Sequence, residues 1–204
     1  ILCLTRSERL PLSFFPTSRR MIVFPQRFLA SSCCWNFSRK RTIHHNDMKN
    51  MSIYLSVEPI DSPDANAMLA ELSARLEEIT GCSGAASFDA SDLLSTRTKF
   101  VVARDESGNA LGCGAIRSLN EEVAELKRMY SRGSIPGVGS AVLNRLEQEA
   151  AALGYHSIRL ETRKVNHKAV SFYLHHHYHI IPNYGKYVGK DEAICFEKIL
   201  EPPY

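Results

Sequence analysis

From residue 53 onward, apolar and polar positions recur regularly enough to predict a succession of short elements. Ile53, Leu55 and Val57 alternate, which predicts a strand over 53–58. Ser62 then offers a helix cap, with Pro63 at the first helical position. Ala65, Met68, Leu69, Leu72, Leu76 and Ile79 recur at helical spacing until Gly81 ends the run. Strands follow at 100–104 and 111–119, joined by the turn 105–109, and a third strand covers 123–130. A glycine-bearing loop, 133–139, leads into a helix at 139–153 with Val138, Ala141, Val142, Leu146, Ala150 and Leu153 on one face. A strand at 157–161, a short helix capped by Asn166 and running through Leu174, and a last strand at 192–198 complete the order β-α-β-β-β-α-β-α-β. Hairpins and helical crossovers together require a mixed, mainly antiparallel sheet with helices on both faces, an α/β (α+β mixed) fold.

Composition divides the chain in two. Of 204 residues, 44% are hydrophobic and 23% charged, which excludes wholesale disorder. Residues 1–47 hold eight bases and two acids, a net of +6, which leaves residues 48–204 at −3 of the total +3. The first 47 residues show no sustained period, are interrupted by Pro11, Pro16 and Pro25, and are expected to be a basic leader outside the fold. Arg- and Ser-rich composition resembles an organellar transit peptide; Met48 and Met51, just before the patterned chain, favour sequence upstream of the true start. Residues 48–204 are expected to form the domain. Its slightly acidic balance argues against nucleic-acid binding, and the absence of an 18-residue apolar run argues against a membrane span. Six cysteines without CxxC or zinc spacing fit reduced thiols in a reducing, cytoplasmic setting.

The chemistry concentrates where a strand, a glycine loop and a helix succeed one another. First-turn amides of a helix have no internal partners, and the helix dipole adds positive potential there. Gly137 and Gly139 would let a pyrophosphate approach those amides closely, although Gly-x-Gly before a helix is also an ordinary tight turn. There is no GxxxxGK[ST] P-loop, and no GxGxxG comes after the first strand.

The run ELKRMY…GVGSAVLNRLEQEAAALGYHSIRLET…NHKAVSFY resembles the GNAT superfamily, which moves acetyl groups from acetyl-CoA to amines. The resemblance covers about 52–200 in element order and is sharp over 125–173. It implies a pyrophosphate loop at 134–139, where Gly137 and Gly139 match the family pattern [QR]-x-x-G-x-[GA] and Ser134 replaces the Arg or Gln. Pro136 removes one backbone donor there, and Arg132 is the nearby candidate for the missing charge. It also implies diphosphate contacts from the amides of Val138, Gly139 and Ser140, and pairing of pantetheine with the strand edge at Met129, Tyr130 and Ser131. Asn166 would contact the pantetheine region, and Tyr173 would protonate the departing thiolate. Tyr173 lies two turns along the Asn166 helix on one face, and a phenol can donate to a thiolate at neutral pH. A Tyr packed in the core beside Phe172 is the alternative reading. A small-molecule or peptide amine would be the acceptor, attacking directly in a ternary complex, and the family also allows a homodimer. A catalytically weak module that senses CoA or binds a partner is the competing function.

Glu125 is the first candidate for the base that deprotonates the amine, and Glu161 the second. Glu125 equally suits a plain strand carboxylate paired with Lys127 or Arg159. His175, His176, His177 and His179 cluster, but adjacent histidines diverge and no acid or cysteine joins them at ligand spacing, so no metal is expected. In relatives this position is often a glycine-bearing turn, and His177 departs from it. The segment 181–187 resembles one in small bacterial members, where Tyr184 or Tyr187 would shape the acceptor mouth; a surface turn explains its Pro, Asn and Gly as well.

Overall fold

The computed structural model describes residues 52–84 and 95–201. The leader expected at 1–47, with Met48 and Met51, lies outside the described residues. The element order is β1 (Tyr54–Val57), α1 (Pro63–Thr80), β2 (Lys99–Arg104), β3 (Ala110–Ser118), β4 (Val123–Ser131), α2 (Val138–Ala152), β5 (Ser157–Arg163), α3 (His167–His175), β6 (His179–Ile181), a 3₁₀ turn (Gly185–Tyr187) and β7 (Ala193–Ile199). The expected helices and strands are present within a residue or two of their boundaries. β6 is the addition. It is three residues long and pairs at the sheet margin, His179 opposite Glu197 and Ile181 opposite Cys195. Three residues are too few to carry a period.

The caps act as their residue types predict. Ser62 Oγ accepts from the Ala65 amide at 3.2 Å and starts α1. Gly81, at φ +70°, turns its N–H back to the Glu77 carbonyl at 2.9 Å and ends it. Asn166 Oδ1 accepts from the Ala169 amide at 3.3 Å at the start of α3.

The sheet order is β1-β2-β3-β4-β5-β7-β6. Every neighbouring pair is antiparallel except β4 and β5, which run parallel. Strand alternation sorts side chains between two cores. Phe100, Val102, Cys113 and Ala115 meet Ala65 and Met68 of α1 on one face. Val101, Ile116, Leu126, Ile158 and Leu160 meet Val142, Leu143 and Leu146 of α2 on the other, joined by Tyr173 of α3. Burial of these side chains is the main stabilising contribution, about 1.5–3 kcal/mol for each large one.

Two irregularities in β4 shape the surface around the start of α2. Its parallel pairing with β5 covers only Val123–Glu125 against Ser157–Arg159. Beyond that point β4 runs on to Ser131 and β5 to Arg163 without pairing, so a gap opens between them. On its other edge β4 carries a bulge: Lys127 opposes Ala115, yet Tyr130 opposes Cys113, one residue too many on β4. Arg128 takes up the extra residue at φ +55°. Gly114 lies across from the bulge. A Cβ there would come within 2.5 Å of Met129 Sδ and 2.7 Å of Leu146 Cδ1, so only glycine admits Met129 to the core.

Candidate functional site

The N-terminus of α2 lies near the end of β4: a Cβ on Gly112 would come within 2.8 Å of Val138 Cγ1 and 3.3 Å of Ser131 Cα. Gly137 is its cap, at φ +85°, and supplies no side-chain acceptor; no acidic residue stands in the first turn. The first amide to find a helical carbonyl is that of Ala141, bonded to Gly137 O at 2.9 Å. The amides of Val138, Gly139 and Ser140 therefore keep their donors for an outside acceptor. This arrangement fits a diphosphate. The Val138 side chain is buried in the core, and a Cβ on Gly139 would sit 3.5 Å from the Phe172 ring, so α3 packs directly on this first turn. Ser140 Oγ is 2.9 Å from His176 Nε2.

The charge expected from Arg132 goes elsewhere. Its guanidinium makes a two-pronged contact with Glu71 of α1, Nε at 2.9 Å and Nη2 at 2.6 Å, and donates to the Ala110 carbonyl. Tyr130 donates to the same carboxylate at 3.1 Å. Both side chains tie β4 to α1, on the face away from α2. Ser134 is exposed in the loop. The first turn of α2 thus offers amides, without a described cationic side chain bonded across it.

Where β4 and β5 part, a cavity of about 330 Å³ opens, lined on one side by Met129, Asn166, Ala169 and Tyr173 and on the other by Leu72 and Leu76 of α1. Tyr173 is 8% exposed. Its ring packs edge-on against Phe172 and Tyr178, centroids 5.3 and 5.7 Å apart. Its hydroxyl has no hydrogen bond among the described residues, yet it is not among the sealed polar atoms. The core-packed reading and the functional reading of Tyr173 are therefore both partly realised: the ring is core and the phenol borders the cavity. Burial, and then the charge of Glu161, hold that phenol protonated well above its usual range.

Glu125 and Glu161 differ sharply. Glu125 is 1% exposed and fully engaged. Arg117 Nη2 lies 2.7 Å from Oε2 and Lys127 Nζ 3.1 Å from Oε1, and the Tyr184 hydroxyl donates to Oε1 at 3.0 Å. Burial opposes its ionisation, but the cations of Lys127 and Arg117 outweigh that and hold its pKa below the ordinary range. The anticipated partner Lys127 is present, whereas Arg159 pairs with Glu197 at 2.8 Å. Glu161 lines the cavity, and its carboxylate has no hydrogen bond or ion pair among the described residues. Burial raises its pKa, only partly offset by Lys127 and Arg163. A carboxylate that resists ionisation beside a cavity can take a proton; one locked in an ion-paired cluster cannot do so readily.

Sequence reasoning passed over Lys127 as a site residue, although its i,i+2 position places it on the Glu125 face of β4. Lys186 and Lys190, in and after the 3₁₀ turn, also border the cavity, as does Tyr187. His177, which departs from the glycine-bearing turn that the resemblance implies, has φ +65°, in the left-handed region. Among the described residues no group of three or more His, Cys, Asp or Glu side chains gathers as a metal site, and no helix is long and apolar enough to cross a membrane.

Known proteins share this architecture. A structure from Klebsiella pneumoniae subsp. pneumoniae, described as an acyl-CoA N-acyltransferase, matches 73% of this chain and 98% of its own at 27% identity and TM-score 0.63. A GNAT acetyltransferase from Elizabethkingia anophelis, solved with acetyl-CoA bound, matches 72% of this chain and 98% of its own at 15% identity and TM-score 0.53. An IAA acetyltransferase of Azospirillum brasilense is 42% identical over 67 residues, 31% of this chain and 43% of that relative, so the match spans less than half the relative's length. The pattern of the acetyltransferase (GNAT) family matches residues 70–178, more than half of the chain, and on the strength of that match and the shared architecture the protein belongs to this family.

Proposed function

We propose that the protein is an N-acetyltransferase that acetylates a primary amine of a small molecule or peptide by direct attack in a ternary complex. Acetyl-CoA, the co-substrate, supplies the acetyl group as a thioester whose C–S bond breaks as the new C–N bond forms. The amides of Val138, Gly139 and Ser140 hold its diphosphate, and the unpaired edge of β4 at Met129, Tyr130 and Ser131 pairs with its pantetheine arm, with Asn166 alongside. Glu161 accepts the proton lost by the amine. Tyr173 donates its phenolic proton toward the departing sulfur. The proton held by Glu161 then restores the phenol, so no net proton stays on the enzyme. Glu125 serves as the counter-charge that fixes Lys127 and Arg117.

The observation that carries this reading is the Tyr173 hydroxyl, without a partner among the described residues, at the gap between β4 and β5. A thiol-release assay with acetyl-CoA over amino acids, polyamines, aminoglycosides and peptides tests it. Release that depends on both acetyl-CoA and one class of amine supports it; no release with any acceptor overturns it.

A second reading draws on the diphosphate loop, where Ser134 stands and Arg132 is committed to Glu71. In that reading the fold holds CoA weakly and acts as a sensor or partner-binding module. Calorimetry separates the two: acetyl-CoA binding in the micromolar range favours the enzyme, and no heat at millimolar ligand favours the module.

A further inference from the structure

The loop before α2 lacks a cation at its expected place. Ser134 stands where the family pattern has Arg or Gln, and Arg132 is committed to Glu71. A titratable side chain nevertheless reaches the first turn of α2 from another element. His176, at the C-terminal cap of α3, places Nε2 2.9 Å from Ser140 Oγ. Ser140 is also the third of the residues whose amides stay open after Gly137.

Packing holds the imidazole in place. Phe172 lies one turn before His176 on the same face, and the two rings meet tilted, centroids 4.5 Å apart. The same Phe172 ring would lie 3.5 Å from a Cβ on Gly139. Burial holds the His176 pKa below the ordinary histidine range. Among its charged neighbours, His175, with its ring 5.5 Å away, opposes protonation, and so do Lys198 of β7 and His177. Glu147 of α2 favours protonation, but its carboxylate is paired with Lys198 at 2.6 Å. The ring of the free protein is therefore mainly neutral at pH 7.

Neutral and charged rings act differently on Ser140. A neutral ring with its proton on Nδ1 accepts from the Ser140 hydroxyl at Nε2, which consumes the hydroxyl proton. An imidazolium donates from Nε2 to Oγ, which frees that proton for another acceptor and adds a positive charge beside the open amides.

We propose, building on the acetyltransferase reading, that His176 is a positioning residue of the diphosphate site: protonated in the complex, it leaves the Ser140 hydroxyl to donate to the diphosphate and supplies the charge that Ser134 does not. Binding and protonation are then linked. A diphosphate favours the imidazolium, so the titration of the ring moves up in the complex, and by reciprocity acetyl-CoA binds more tightly where the ring is charged. The gain is complete below the titration of the free protein and disappears as pH rises through that of the complex. Between the two, binding takes up a proton.

The test uses the full chain and acetyl-dephospho-CoA, which keeps the diphosphate but lacks the 3′-phosphate, a group that itself titrates near neutral pH. Calorimetry should show affinity falling roughly tenfold from about pH 5.5 to about pH 8.5, the size of one charge-assisted contact. Repetition at one pH in two buffers of different ionisation heat should show proton uptake. His176→Gln can still hydrogen-bond to Ser140 but cannot ionise. It is expected to bind at the weaker, high-pH level throughout and to take up no proton. His176→Arg, always charged, is expected to keep the tighter binding at high pH. Melting temperature verifies folding of both variants, and the proton uptake of the unaltered protein needs neither. A flat pH profile without proton uptake, or a fall that persists in folded His176→Gln, overturns this inference while thiol release leaves the acetyltransferase reading standing. No binding at any pH together with no thiol release overturns both.

Discussion

Glu161 on β5 and Tyr173 on α3 border one cavity, and the charge of the carboxylate helps keep the phenol protonated. β5 carries Glu161 on the face opposite Leu160, while α3 brings Tyr173 in from the α2 side. They share a space only because β4 and β5 stop pairing after Glu125 and Arg159. The proposed base for the amine and the proposed acid for the sulfur thus border the same space.

Removing the phenolic proton isolates its role. Tyr173→Phe retains the ring that packs on Phe172 and Tyr178, so the fold should persist. Turnover should fall roughly 10²–10⁴-fold, with acetyl-CoA affinity changed only a few-fold. Stopped thiol release with intact binding by calorimetry is the expected pair of results, and normal turnover removes Tyr173 from the mechanism.

For Glu161 the sign of the shift matters. Its pKa is raised in the fold, so its ionised form is less favourable folded than unfolded. It therefore lowers stability as pH rises from its unfolded value through its folded one, and that cost persists at neutral pH. Glu161→Gln should raise the melting temperature at pH 7 and lose that advantage in acid, once pH falls below the ordinary carboxylate range. The same change should lower kcat/KM and abolish the rise in activity as pH climbs through the Glu161 titration. A variant that is both less stable and fully active contradicts the assignment.

Glu125 should behave in the opposite way. Its pKa is depressed, so its contribution is present above the unfolded carboxylate value and disappears as pH falls through the folded one. Glu125→Gln leaves Arg117 and Lys127 without their shared counter-charge, a change that typically costs about 3–5 kcal/mol in a buried pair. Urea denaturation at pH 7 should show the loss, and the gap between wild type and variant should narrow in acid.

Gly137 tests the proposed diphosphate site. A Cβ at that position meets nothing within 4 Å, so alanine there suffers only from its backbone at φ +85°, about 1–2 kcal/mol. Gly108, at φ +83° in the β2–β3 turn, has the same open surroundings and is the control. Both alanine variants should lose similar stability, but only Gly137→Ala should raise KM for acetyl-CoA.

Much of the fold was legible locally. Ser62, Pro63 and Gly81 bounded α1, and Asn166 opened α3, because a cap is decided by a residue and the amides within three positions of it. β6 was not legible, since its three residues become a strand only by lying against β7.

The order of strands and helices, their two buried faces, the bare amides after Gly137 and the helical register that carries Asn166 and Tyr173 were all written in the sequence by itself. Each depends on periods and caps spanning a few residues. Which carboxylate is free and which is locked was decided only by the tertiary structure. Arg132 meets Glu71 across 61 positions, and Tyr184 meets Glu125 across 59. Charge pairing of that kind is set by sheet register and by the side of the sheet on which a distant segment comes to rest, and no local pattern encodes either.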